Sequence, residues 1–229
     1  MTEGRRRAGG RLFEMPALVD ERTSDRKRRL FAVACLRRFA HLLDDRRSRR
    51  ALEVAERYAE GLATEAERQE AEDAAFEAHS EMHLGRFSGD TLVPWSWAGE
   101  QLTRAAALAV SCGLYYAEDA ADYARRSLGG TGGARAEQQE EAEQCRLLAE
   151  IVAPADPVAP EPAWLASNDG AAAMLARVVH EEQAFDLLPV LADALEDAGC
   201  ANEDLLSHLR GPGPHLRGCW AVDLLTGRG

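Results

Sequence analysis

From Ser24 onward, apolar side chains recur every three or four positions, and no segment alternates apolar and polar residues over the length of a strand. A chain written this way has no sheet to bury, so its core has to form between helices. The expected fold class is all-α, with short antiparallel helical hairpins, about nine helices and no sheet. At 229 residues and 46% hydrophobic content the chain can fill a sizeable core.

Punctuation places the helices. Ser24 reads as the N-cap of a first helix to about Leu43, with Leu30, Phe31, Ala34, Leu36 and Phe39 among its apolar positions. A second, about 46 to 61, carries Leu52, Ala55, Tyr58, Ala59 and Leu62 and stops at Gly61. Thr64-Glu65-Ala66-Glu67 has capping-box form and opens a third helix to about His83. GRFSGDTLVPWSWAG reads as a loop anchored by Trp95 and Trp97, followed by one long, nearly all-round apolar helix from about 100 to 127. A fifth helix, 135 to 152, places Cys145, Leu148 and Ile151 on one face. Four short helices complete the chain. Asn168-Asp169 caps the first of them, Pro189 opens the second, and Gly199 ends it. Asn202 caps the third, Gly211 ends it in a left-handed conformation, and Trp220, Val222, Leu224 and Leu225 face inward from the last.

The expected organisation is a poorly ordered basic arm over 1–22 and a helical domain over 23–152. A proline-rich linker follows over 153–163, with APADPVAPEP at its heart, and then a small C-terminal helical subdomain over 164–229 packed on the first. GGTGG, residues 129 to 133, lacks the Lys-Ser/Thr of a phosphate loop and reads as a connector.

The net charge of −12 is unevenly spread: residues 1–50 hold 15 Lys and Arg against 7 Asp and Glu, leaving 12 against 32 for the rest. An acidic body disfavours nucleic acid as a general partner, because phosphate binding needs a basic surface. The most apolar stretch, AAALAVSCGLYYA at 105–117, is too short for a membrane span. Cys35, Cys112, Cys145, Cys200 and Cys219 are odd in number and scattered, and no apolar leader stands at the N-terminus, so reduced thiols and a cytoplasmic location are expected.

HLRGPGPHLRGCW, residues 208–220, carries most of the candidate chemistry. Cys200, His208, His215 and Cys219 are zinc-type ligands within twenty residues. The seven-residue first gap suits no compact knuckle, since a helix over 202–210 sets Cys200 and His208 about 10 Å apart. No cofactor is demanded by the sequence; zinc is the one this set would take. Arg210, Arg217 and His215, with the free amides of the last helix, form a candidate anion corner. The simplest account is structural: one helix ends at Gly211, Pro212 and Pro214 forbid its continuation, and Trp220 packs the corner. Cys219 with His215 is the nearest approach to a nucleophile and base, and no full catalytic constellation accompanies it. His79 and His83, in HSEMH, share a helix face, but Glu81 points away from them; a solvated edge is expected there. His180 reads as a surface residue, and Cys35, Cys112 and Cys145 as inert core thiols. Arg37, Arg38, Arg46, Arg47, Arg49 and Arg50 form a candidate partner-binding basic patch within 26–50, with pairing to the carboxylates of 53–77 and of the C-terminal helices, the rest being solvated, as its internal explanation.

SDRKRRLFAVACLRRFAHLLDDRRSRRALEVAERYAEGLAT (24–64), DPVAPEPAWLASNDG (156–170), LPVLADALEDAGC (188–200) and HLRGPGPHLRGCWAVDLLTG (208–227) resemble, in this order, a family of bacterial, planctomycete-type proteins that occur as many paralogues. The resemblance covers about half the chain and implies a small soluble module; it lends no activity, cofactor or catalytic residue. Leu36 stands where the family's pattern has a second cysteine after Cys35. Three functional readings follow: a non-enzymatic helical module for an unidentified protein partner, a metal- or thiol-dependent enzyme centred on 200–219, and a nucleic-acid-associated protein using 26–50.

Overall fold

The computed structural model describes residues 23–85, 97–111, 116–128, 133–154 and 159–228. Its first helix, α1 (Asp25–Arg37), begins where Ser24 accepts the Lys27 amide at 3.4 Å. A 3₁₀ turn at Ala40–Leu42 separates it from α2 (Arg46–Ala59), which ends with Gly61 at φ 72°. The expected capping box opens α3 (Glu65–Gly85): the Thr64 amide donates to Glu67 Oε2 at 2.8 Å, and the Glu67 amide donates to the Thr64 hydroxyl at 3.2 Å. There follow α4 (Trp97–Val110), α5 (Tyr116–Arg126), α6 (Gly133–Ile151) and α7 (Pro162–Ala166). The last four are α8 (Ala171–Glu182), α9 (Leu188–Asp197), α10 (Glu203–Arg210) and α11 (Trp220–Thr226). The described residues form eleven α-helices and no strand, so the fold is all-α.

Helix α1 is the axis of the N-terminal part because nearly every side chain from Lys27 to Leu36 is buried. Ala32 and Leu36 meet Leu52 of α2, Leu102 and Ala105 of α4, and Ala120 of α5. Leu30, Phe31 and Cys35 meet Leu147, Leu148 and Ile151 of α6, and Val33 meets α2, α3 and α4 through Val54, Ala75 and Val110. The buried apolar residues from Trp164 to Leu225 form one further cluster of their own, built by α7–α11 around Leu188, Leu191, Leu195, Leu205 and Leu209.

The seam between these groups of helices is largely ionic. Arg26 reaches Asp223 at 2.6 Å and Glu60 at 2.8 Å. Lys27 pairs with Asp223 and donates to the Gly218 carbonyl at 2.7 Å. His180 Nε2 lies 3.2 Å from Glu60 Oε2, with both side chains under 8% exposed.

Several expectations need correction. The stretch 100–127 is not one helix: α4 stops at Val110, and α5 packs back along it, so that both apolar faces are covered by each other and by α1. With α7, this raises nine helices to eleven. Asn168 and Asp169 do not cap α8 with their side chains; both are left-handed, at φ 51° and 55°, and Gly170 stands at the cap. Gly211 is extended at φ −68°, ψ 161°, because the residue before a proline avoids the helical region. His180 is buried against Glu60 rather than on the surface, and Cys145 is exposed while Cys35 is buried. No helix among the described residues is long and apolar enough to cross a membrane. The arm 1–22, Trp95, Cys112, residues 129–132 of the glycine run and 155–158 of the linker lie outside the described residues.

Candidate metal centre

The corner begins where α10 ends at Arg210. Gly211 donates back to the His208 carbonyl at 3.1 Å and then runs extended into Pro212. Gly213, at φ +82°, turns the chain so that His215 Nε2 lies 3.0 Å from the Gly211 carbonyl oxygen. Gly218, at φ +91°, makes the second turn with its Cα against Leu30, where a Cβ would come within 2.7 Å of the Leu30 methyl. Cys219 then stands immediately before α11.

Glu150, the penultimate residue of α6, completes the site from the other side of the seam. Its side chain is 4% exposed, beside Leu147, Leu148 and Ile151 on the buried face. Oε1 of Glu150 lies 3.0 Å from His215 Nδ1 and 3.5 Å from His208 Nε2, and His208 Nε2 lies 3.2 Å from Cys219 Sγ. One donor atom from each of the four residues lies within 4.8 Å of every other. The imidazoles meet edge to face at 5.3 Å, and the Trp220 ring, 4.8 Å from that of His208, walls one side.

Hydrogen bonding fixes much of the site's proton inventory. A carbonyl can only accept, so His215 Nε2 carries a hydrogen, and Nδ1 is the atom presented to Glu150. Burial opposes the Glu150 charge, but His208, His215 and Cys219 outweigh it and hold the carboxyl down at about 2. Hydrogen bonding to that carboxylate raises the His215 imidazole above its ordinary value. Burial pushes the Cys219 thiol well up, and the Glu150 charge adds to this. The first amides of α11, those of Ala221 and Val222, act in the opposite sense without closing a capping hydrogen bond. Burial and the neighbouring carboxylate thus favour the neutral thiol over the thiolate at Cys219.

Three of the four residues named from sequence as a metal set converge, namely His208, His215 and Cys219. Cys200 does not join them. The Gly199 turn, at φ 89°, sends it into the C-terminal core, with its amide bonded to the Leu195 carbonyl. Glu150 takes its place, and the reading by close spacing missed it. A signal was available, since Glu150 interrupts the apolar stripe of α6 at the i+3 position from Leu147.

The anion corner does not assemble. Arg210 is held by Asp193 and Glu196, each at 2.6 Å, Arg217 lies 3.7 Å from Glu56, and His215 serves Glu150. The seven-residue α11 carries Asp223 in its first turn, where it binds Arg26 and Lys27.

The basic patch is largely internal. Arg37 pairs with Glu56, Arg38 with Glu140, Arg50 with Glu53, and Arg47 with Asp45, Glu77 and Glu81. Arg49 donates to the Asp44 carbonyl, and Arg46 borders a groove of about 690 Å³ between α2 and α3 whose rim also carries Asp44, Asp45, Glu67 and Glu70. In HSEMH, His83 meets Glu100 at 2.8 Å, while Glu81 turns to Arg47. Comparison of the chain with protein-family models, curated proteins and solved structures gives no significant match to any of them.

Proposed function

We propose that this protein is a non-catalytic helical module that holds one zinc-class divalent cation between Glu150, His208, His215 and Cys219. The observation that carries the reading is the convergence of four donor atoms of the right chemistry within 4.8 Å. Ligand atoms about 2.0–2.3 Å from a tetrahedral ion lie about 3.3–3.7 Å from each other, so the separation of 3.5 Å already fits, those of 3.0 and 3.2 Å need a few tenths of an ångström of opening, and the widest in the set, up to 4.8 Å, needs about 1 Å of closing. A thiolate and a carboxylate with two neutral imidazoles balance a divalent charge, which a buried site requires. His215 also carries the support usual for a ligating histidine, its second nitrogen donating to a backbone carbonyl.

Protons hold the four groups together in the described arrangement, and a cation would replace them, releasing the Cys219 proton and those the imidazoles share with Glu150. Four protein donors fill a tetrahedron and leave no position for a substrate, which favours a structural role over catalysis.

Titration of the purified full-length chain with cobalt(II) tests this. One equivalent should develop the intense visible bands of a tetrahedral site together with a sulfur-to-cobalt charge-transfer band, and zinc should displace it. Cys219→Ser should remove the charge-transfer band, and His215→Ala should weaken binding by at least about tenfold. A weak octahedral spectrum, or bands untouched by both substitutions, defeats the reading.

A further inference from the structure

Three of the four donors come from one short segment, and the fourth comes from a helix on the far side of the seam. His208, His215 and Cys219 lie within the corner that joins α10 to α11, whereas Glu150 lies on α6, packed against Leu30 and Phe31 of α1. We infer that the cation acts as a clasp, fastening the C-terminal helices to the N-terminal ones in a metal-dependent way. This rests on the metal-holding reading given above.

The rest of the seam gives such a clasp something to decide. The apolar cluster of α7–α11 is separate from those built around α1, and Leu216 is the corner's one apolar side chain packed against the α1–α6 cluster. Among the described residues the seam also carries polar ties: Arg26 and Lys27 to Asp223, Lys27 to the Gly218 carbonyl, His180 and Arg228 to Glu60, and Arg217 to Glu56. Ion pairs of this kind give up much of their Coulombic attraction to desolvation. Metal–ligand bonds are stronger, and the set is complete only when the donors from both sides are in place.

The corner itself has little to hold it. Residues 211–219 contain no helix, two of its glycines are left-handed, and His215 to Gly211 is its side-chain bond within the segment. Its shape is set by what it touches on either side, Leu30 through Gly218 and Glu150 through the two histidines. An ion bound there shares one coordination sphere between α6 and the corner, so an opening that separates the two breaks the Glu150 bond and leaves the ion on an incomplete, weaker donor set.

Hydrogen exchange on the full-length chain, with and without zinc, tests the clasp. With zinc at a hundredfold excess over its dissociation constant, amides whose exchange requires the site to open should slow by up to about 100-fold, the full factor applying where the opened site loses the ion altogether. The clasp expects this slowing in the last two turns of α6 as well as in α10 and α11. Glu150→Gln keeps the side chain's size and removes its charge; it should still bind cobalt through His208, His215 and Cys219, with the slowing confined to 208–219. Glu150→Asp, which withdraws the carboxylate by one methylene, should give an intermediate pattern and stands in if Glu150→Gln does not fold. Zinc binding with protection confined to 208–219 in the wild-type chain overturns the clasp and leaves the metal site standing, as does a Glu150→Gln pattern equal to that of wild type. If the wild-type chain binds neither zinc nor cobalt, both readings fall.

Discussion

His215 Nδ1 stands 3.0 Å from Glu150 Oε1, across a separation of 65 positions in the chain. The relationship depends on Gly213. At φ +82° this residue turns the chain so that His215 can reach the Gly211 carbonyl with Nε2 and the carboxylate with Nδ1. A Cβ at Gly213 would lie 2.4 Å from the His215 amide nitrogen, a backbone atom that cannot swing aside. Gly213→Ala should therefore cost about 1–3 kcal/mol in urea unfolding and weaken cobalt binding in the same variant. Unchanged stability together with unchanged metal affinity would show that the turn does not set the imidazole.

Caps and stops were legible because they are local. Ser24, the Thr64–Glu67 box, Gly61, Gly199 and Asn202 each act within four residues of where they stand, and each does what its residue type predicts. Gly211 was misread because one local rule outranked another: the proline that follows it favours extended backbone over a left-handed helix end. The site was half legible. His208, His215 and Cys219 are close in sequence, and the interrupted stripe of α6 marks Glu150 as facing inward, but which groups Glu150 and His180 meet depends on how α8–α11 pack on α1, α2 and α6, which no periodicity within a helix can show. Pairing of the arginine patch with Glu53, Glu56 and Glu77 was legible from the charge pattern, whereas the Glu140 that meets Arg38 comes from 102 positions away.

Helix α10 depends on one side chain at its start. Asn202 Oδ1 accepts the Leu205 amide at 2.8 Å, and the next turns carry Leu205, Leu206 and Leu209 into the core, with His208 at the site. Asn202→Ala should cost about 1 kcal/mol, and Asn202→Gly only a few tenths. Thermal unfolding of the two variants side by side checks this ranking. Equal losses would mean that the cap bond is not what holds the helix start.

Acid should loosen the seam through Glu60. Burial opposes its charge, but the hydrogen bond with His180 and the charge of Arg26 hold the carboxyl at about 2, below its ordinary 4.5. A carboxyl depressed on folding contributes stability that is present above its unfolded value and lost as the pH falls through the folded one. Between pH 5 and pH 3 this amounts to about 2 kcal/mol. Glu60→Gln should be less stable than wild type at pH 7 and lose that much less on acidification. Parallel acid curves for the two proteins would rule Glu60 out as the source.

The Arg38–Glu140 pair should respond unequally to losing one partner or the other. Arg38 holds Glu140 through Nε and a terminal nitrogen at 3.1 and 2.9 Å, with Glu143 3.8 Å away. The Arg38 side chain is 38% exposed and can turn to water, whereas that of Glu140 is 2% exposed and would keep only the amide of Gln144, at 3.3 Å. Arg38→Ala should therefore cost about 3 kcal/mol at neutral pH, and Glu140→Gln under about 1. The pH dependence separates this from simple loss of packing. Burial already raises the Glu140 carboxyl above its ordinary value, even against the arginine's charge, and without Arg38 it must rise further. A raised carboxyl favours the folded state at low pH and disfavours it as the pH climbs through the folded value. The cost of Arg38→Ala should accordingly shrink from pH 8 to pH 5, while that of Glu140→Gln shows no such decline. Urea unfolding of both variants at the two pH values decides the matter: a cost for Arg38→Ala that is the same at both would mean Glu140 is not left charged and buried.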